Sequence, residues 1–212
     1  MKRYRKRYLL VSIFLLWLTL YSCVYSGFLA KDDLKFVQDT GIRKHLRIDG
    51  FYMPEPDSIN GYYRGKAFIF YEDGSILGAY ASSLREALDS PHPARSIRHS
   101  FYGCDENGVY SIIGDTITAN IYHGFHHIHS MSRIKIKVID SIHIVKYIEE
   151  YFMDGTQKTG ERAIETPYHF VHLDTLPPSF MYIKEREELW DDKFEYIRFM
   201  NSNGKRIKHK KE

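Results

Sequence analysis

The sequence predicts a mostly β protein: an antiparallel β-barrel or half-barrel with one short inserted helix. Three observations carry that reading. Short runs rich in β-branched and aromatic residues recur through residues 45–183. Asp-Gly and Gly-Asp pairs separate several of them, and glycine opens the positive-φ geometry that tight hairpins need. Tyrosine, a strong strand former, occurs 17 times and is concentrated in or beside those runs, at Tyr52, Tyr71, Tyr80, Tyr110 and Tyr122 among others.

The elements follow in order. Residues 45–52 alternate polar and apolar and end at Pro54 and Pro56. Residues 66–71 form a second strand, Glu72-Asp73-Gly74-Ser75 a turn, and residues 76–80 the return strand, the clearest hairpin in the chain. Ser83 and Glu86 match a capping box for a short helix over 83–88, which Pro91 and Pro93 stop. Strands are expected to resume near residues 96–102. Residues 109–113 and 116–122 make a second hairpin about Gly114-Asp115. Residues 133–139 and 141–152 flank Asp140 as a third, and Asp154-Gly155-Thr156 supplies another turn. Residues 167–173 read as the last barrel strand, closed by Pro177-Pro178. Residues 185–192 look helical, and 194–199 either continue that helix or form a strand ending at Asn201-Ser202-Asn203-Gly204.

Ahead of the domain lies an export pattern. Lys2, Arg3, Arg5, Lys6 and Arg7 precede an apolar run from Leu9 to Leu20, and a small residue stands before a boundary at Ser22. Leu20-Tyr21-Ser22-Cys23 resembles the lipobox of bacterial lipoproteins, whose cysteine is acylated and becomes the mature N-terminus. The expected organisation is a signal peptide over 1–22, a tether over 23–44, a β-barrel-like domain over 45–183, and a C-terminal extension with a basic tail over 184–212. The expected location is the outer membrane or cell surface, with the membrane as a partner through lipid on Cys23. The alternative is a single-pass anchor, since residues 9–30 are long enough to cross about 30 Å of hydrocarbon. Both readings place the domain outside the cytoplasm.

Gly50-Phe51-Tyr52, the aromatic strand–Asp73-Gly74–strand unit, and Val109-Tyr110-Ser111-Ile112-Ile113-Gly114-Asp115-Thr116-Ile117 together resemble small uncharacterised bacterial lipoproteins with a lipocalin-like β domain. The resemblance spans roughly residues 45–175 and implies a lipocalin-like barrel. The Gly-x-Trp signature of true lipocalins is absent: tyrosine stands at position 52.

Charge narrows the function. Residues 1–22 hold five of the 30 Lys and Arg and none of the 27 Asp and Glu, so the remainder carries a net of −2. A nucleic-acid partner loses its electrostatic basis. The run Lys205-Arg206-Ile207-Lys208-His209-Lys210-Lys211 reads as a solvated tail. Cys104 sits in a turn-rich stretch with no base at a useful spacing. No phosphate loop, nucleophile elbow, zinc-protease motif or dinucleotide fingerprint occurs. Glu149-Glu150 and Asp191-Asp192 are adjacent pairs, whose side chains diverge on a strand.

Two constellations remain. His123, His127 and His129 could share one strand face and hold a metal, with His143 from a neighbouring strand. Aromatic residues of the first hairpin, Phe68, Phe70, Tyr71 and Tyr80, are candidates to line a ligand site. The expectation is a non-enzymatic, membrane-anchored module that binds a small apolar ligand or an envelope protein, with no cofactor beyond the covalent lipid. The alternative is a metal-binding protein or hydrolase built on the His123–His129 cluster.

Overall fold

Eight antiparallel strands close into one barrel, each paired with its sequence neighbours, in a computed structural model that describes residues 34–56, 65–102, 106–123, 130–153, 157–179, 184 and 189–208. The strands are β1 (Gly50–Pro54), β2 (Lys66–Phe70), β3 (Ser75–Tyr80), β4 (Glu106–Ile113), β5 (Thr116–His123), β6 (Ser130–Val138), β7 (His143–Met153) and β8 (Gln157–His172). Closure comes from β1 against β8, with Gly50 opposite His172 and Pro54 opposite Tyr168. The half-barrel alternative is thereby set aside. The β2–β3 hairpin pairs Phe70 with Ile76, and Gly74 takes φ +81° in its turn, where a side chain would be strained.

Alternation along each strand separates two apolar clusters. The inner one takes Tyr52, Phe68, Phe70, Ile76, Tyr110, Ile121, Ile134, Ile136, Ile144 and Tyr168, contributions from all eight strands. Ile42, Leu46 and Ile48 close one end, with a single 3₁₀ turn at Ile42–Lys44. The outer cluster uses the opposite parity of β1–β4: Phe51, Ile69, Leu77, Ala79 and Val109. Two helices cover it, α1 (Ala81–Leu88) through Leu84 and Ala87, and α2 (Pro93–Tyr102) through Ile97 and Phe101. Phe36 and Leu189 extend the cover. On the far side the outer face of β8 lies largely in water.

Several local expectations differ from what folds. The first strand begins at Gly50 rather than near residue 45, because the His45 and Leu46 N–H groups turn back to the Ile42 carbonyl. Residues 96–102 are not a strand but the body of α2. Pro93 suits its first position, where the missing N–H would have no helical partner, and Ile97 and Phe101, four apart, bury one helical face. The capping box at Ser83 and Glu86 does not form: α1 starts at Ala81, with no side-chain cap. β8 begins ten residues before Pro167, because its polar first half is held by pairing with β7 rather than by burial. The helix expected over 185–192 is not seen at its described end, where Trp190 bridges Phe36, and residues 185–188 lie outside the described residues. Residues 194–199 resolve to helix, α3 (Lys193–Lys208), whose start is capped by the Asp192 carboxylate accepting from the Phe194 N–H at 2.7 Å.

Candidate functional site

The strand directions place one barrel end at the 71–74, 113–116 and 139–142 turns and the other at Lys66, Glu106 and His123. Polar side chains gather inside this second end. Lys66 shares the inner parity of Phe68 and Phe70, and Glu106 that of Tyr110. Register puts Glu106 beside Gly78 on β3 and His123 on β5. Gly78 lies directly against this carboxylate, a Cβ there meeting Glu106 Oε2 at 3.4 Å.

Glu106 is 6 % exposed and ion-paired to Lys66. Its Oε1 lies 3.2 Å from His123 Nδ1, and His123 Nε2 lies 2.7 Å from Ser132 Oγ. Burial and the neighbouring Lys66 charge lower the His123 pKa, while Glu149 opposes them. Both of the larger effects favour the neutral ring. A carboxylate only accepts, so the proton belongs on Nδ1 and donates to Glu106, while Nε2 accepts the Ser132 hydroxyl.

A second ion pair comes from β7. A register shift between Lys146 and Ile148 lets residues three apart share the inner face. Lys146 Nζ donates to Glu149 Oε2 at 2.8 Å. Glu150 turns outward to Lys158, so the adjacent carboxylates diverge as the strand period requires.

Two buried polar atoms complete the set. Glu106 Oε2 and the Tyr168 hydroxyl have no hydrogen-bond partner among the described residues, and neither has Asn107 Oδ1, which lies on the opposite parity of β4 with Val109. Tyr168 is 1 % exposed, its ring 5.7 Å from that of Phe68, and burial raises its pKa far above the ordinary phenol value. It is a neutral hydroxyl with a proton to donate. Leaving such a group unpaired costs about 1–3 kcal/mol.

The residues singled out from sequence fall in different places. Phe68 and Phe70 point into the barrel and are buried, and Phe70 packs on Tyr52 and Tyr110 at ring distances of 5.8 and 5.4 Å. Tyr71 lies against the outer cluster and donates to the Pro177 carbonyl at 2.7 Å. Tyr80 is exposed beyond the inner row, with Lys66 Nζ 4.9 Å from its ring centre. His123 joins the polar set with both ring nitrogens engaged. His127, His129, Cys23 and Cys104 lie outside the described residues. His143 sits at the opposite end of the barrel on β7, bonded to Asp140 at 2.9 Å, and does not approach His123. Among the described residues no group of three or more His, Cys, Asp and Glu is arranged to hold a metal.

Lys66, Glu106, Ser132, Lys146, Glu149 and Tyr168 are the members that sequence reasoning missed. Lys66 was findable, as a charge in phase with Phe68 and Phe70. Glu149 was not, because its inward direction depends on a bulge.

Comparison with protein-family models, with curated proteins and with solved structures returns no match. The geometry alone carries the functional argument.

Proposed function

We propose that this chain is an exported, lipid-tethered binding protein whose barrel receives the polar group of a small ligand among Lys66, Glu106, His123, Lys146, Glu149 and Tyr168. The observation that carries the reading is the pair of buried, unpartnered atoms on the inner parity of the strands, Glu106 Oε2 and the Tyr168 hydroxyl. One accepts and the other donates, so a ligand bearing both a donor and an acceptor answers both. The two ion pairs balance, and the surroundings of His123 favour its neutral form, so the site favours a ligand of no net charge. Phe68, whose ring lies 5.7 Å from that of Tyr168, supplies apolar contact beneath it. A wholly apolar ligand would leave both polar atoms buried without partners.

Native mass spectrometry of the protein purified from its own membrane is the test. Wild type is expected to carry a small molecule that the Tyr168→Phe, Glu106→Gln double variant loses. An empty wild type whose melting temperature no neutral polar compound raises would defeat the reading and leave an envelope protein as the partner. The tether is tested separately: the mature chain is expected to begin at an acylated Cys23, and an intact Met1 would replace it with the single-pass anchor.

One observation favours a second reading, hydrolysis. Glu106, His123 and Ser132 are bonded in the order acid, base, hydroxyl, the order that activates a serine nucleophile. A fluorophosphonate probe is expected to label Ser132 in that case and to spare Ser132→Ala.

A further inference from the structure

We infer that the outward face of α3 docks on an anionic lipid bilayer. Phe194, Ile197 and Met200 are 76, 42 and 37 % exposed. Three-residue steps keep them on one side of the helix. The other side is engaged, with Tyr196 and Phe199 packing on Trp190 at ring distances of 6.3 and 5.3 Å. The apolar row is thus not the buried seam of the helix but its outer surface.

Charge selects the occupant. Residues 193–212 hold seven Lys and Arg against two Glu, whereas residues 23–192 hold 18 Lys and Arg against 25 Asp and Glu. An acidic body ends in a basic helix and tail, the combination that binds anionic headgroups while apolar side chains enter the interface.

Position agrees. Phe36 and Trp190 form a parallel bridge, the Phe36 N–H donating to the Leu189 carbonyl at 2.6 Å and the Asp191 N–H to the Phe36 carbonyl at 3.1 Å. Lys184, buried and ion-paired to Asp73, fixes the same segment to the β2–β3 turn, and its carbonyl accepts from Trp190 Nε1 at 2.9 Å. The chain from the N-terminal anchor therefore joins the fold beside the start of α3. Ten residues lie between Cys23 and Leu34, which are eleven Cα steps apart. Fully extended these steps span at most about 36–40 Å, so a lipid on Cys23 leaves α3 able to reach the bilayer. This positional argument rests on the tethered reading; the exposed row and the charge do not.

Hydrogen exchange on the full-length chain, purified from membranes and reconstituted, is the test. Vesicles of phosphatidylcholine alone are compared with vesicles that include phosphatidylglycerol. Amides of α3 are expected to exchange about tenfold slower on the anionic vesicles. About 0.5 M salt should remove the difference, because it screens the headgroup attraction. Phe194→Ser, Ile197→Ser and Met200→Ser together should abolish the protection while the protein stays on the vesicles. Equal exchange on both lipids overturns the proposal. Equal protection without vesicles also overturns it, and assigns α3 to the protein's own acidic surface. A chain that leaves phosphatidylcholine vesicles yet protects α3 on the anionic ones refutes the tether and supports the docking face.

Discussion

Toward the 71–74, 113–116 and 139–142 turns, the barrel interior holds Tyr52, Phe70, Tyr110, Ile117 and Ile136, all buried. The hydroxyls there are answered. Tyr52 has the Arg47 and Ser141 carbonyls at 3.0 and 2.9 Å, and Tyr110 has the Tyr71 carbonyl at 2.6 Å with Thr40 Oγ1 at 3.0 Å. Toward the other end the interior holds two ion pairs, a histidine and two unanswered polar atoms. One enclosure thus contains a satisfied, close-packed half and a half that gives up stability. Buried polar groups are almost always bonded in native proteins, and this inward-facing unbonded pair is what the proposed ligand would answer.

The contrast is most exposed to test at Phe70. Phe70→Ala should destabilise the fold by about 3–5 kcal/mol, the range for emptying a packed aromatic site. Denaturant unfolding reads it directly. A loss below about 1 kcal/mol would mean that the first half is not packed as described. Tyr168→Phe should go the other way. Deleting an unanswered hydroxyl should raise the stability of the ligand-free protein by about 1–3 kcal/mol and weaken ligand uptake. A loss of stability there would erase the difference between the halves. Tyr52→Phe is the matched control, expected to cost about 1 kcal/mol because its hydroxyl is bonded.

The smallest effect is a pH dependence at His123, which faces Glu106, Ser132, Lys66 and Glu149. Its folded pKa lies below the ordinary value of about 6.5. In the window between the two, the unfolded chain holds a proton that the native ring lacks. Stability is therefore full above about pH 6.5 and declines as pH falls toward the lowered value. Replacing His123 with Gln should flatten that part of the stability–pH curve relative to wild type. An unchanged slope would show that the ring titrates as freely in the fold as in the unfolded chain.

Particular elements show what could be read in advance. The β2–β3 and β4–β5 hairpins were legible because their signals, a glycine able to take positive φ between alternating runs, are contained within a dozen residues. Residues 96–102 misled because Ile97, Phe101 and Tyr102 look strand-like until the four-residue spacing is weighed with Pro93 at the helix start. The first half of β8 was invisible because Gly160, Glu161 and Arg162 carry no apolar period, and their order comes from Tyr151, Glu150 and Glu149 across the ladder. Of the polar set, only His123 was singled out, and for a metal with partners elsewhere in the chain.

By itself the sequence determined the mostly β class, the antiparallel hairpins and the pairing of Phe68 and Phe70 on one face, since turn chemistry and the two-residue strand period are local properties. Tertiary structure alone decided that β1 meets β8, which closes the barrel. It also sent one parity of β1–β4 under two helices, and brought Glu106, His123, Ser132, Glu149 and Tyr168 into one polar half. Those outcomes depend on register and on a bulge in β7, and neither is encoded in any single segment: each is settled only when every strand has its neighbours and the interior has been filled.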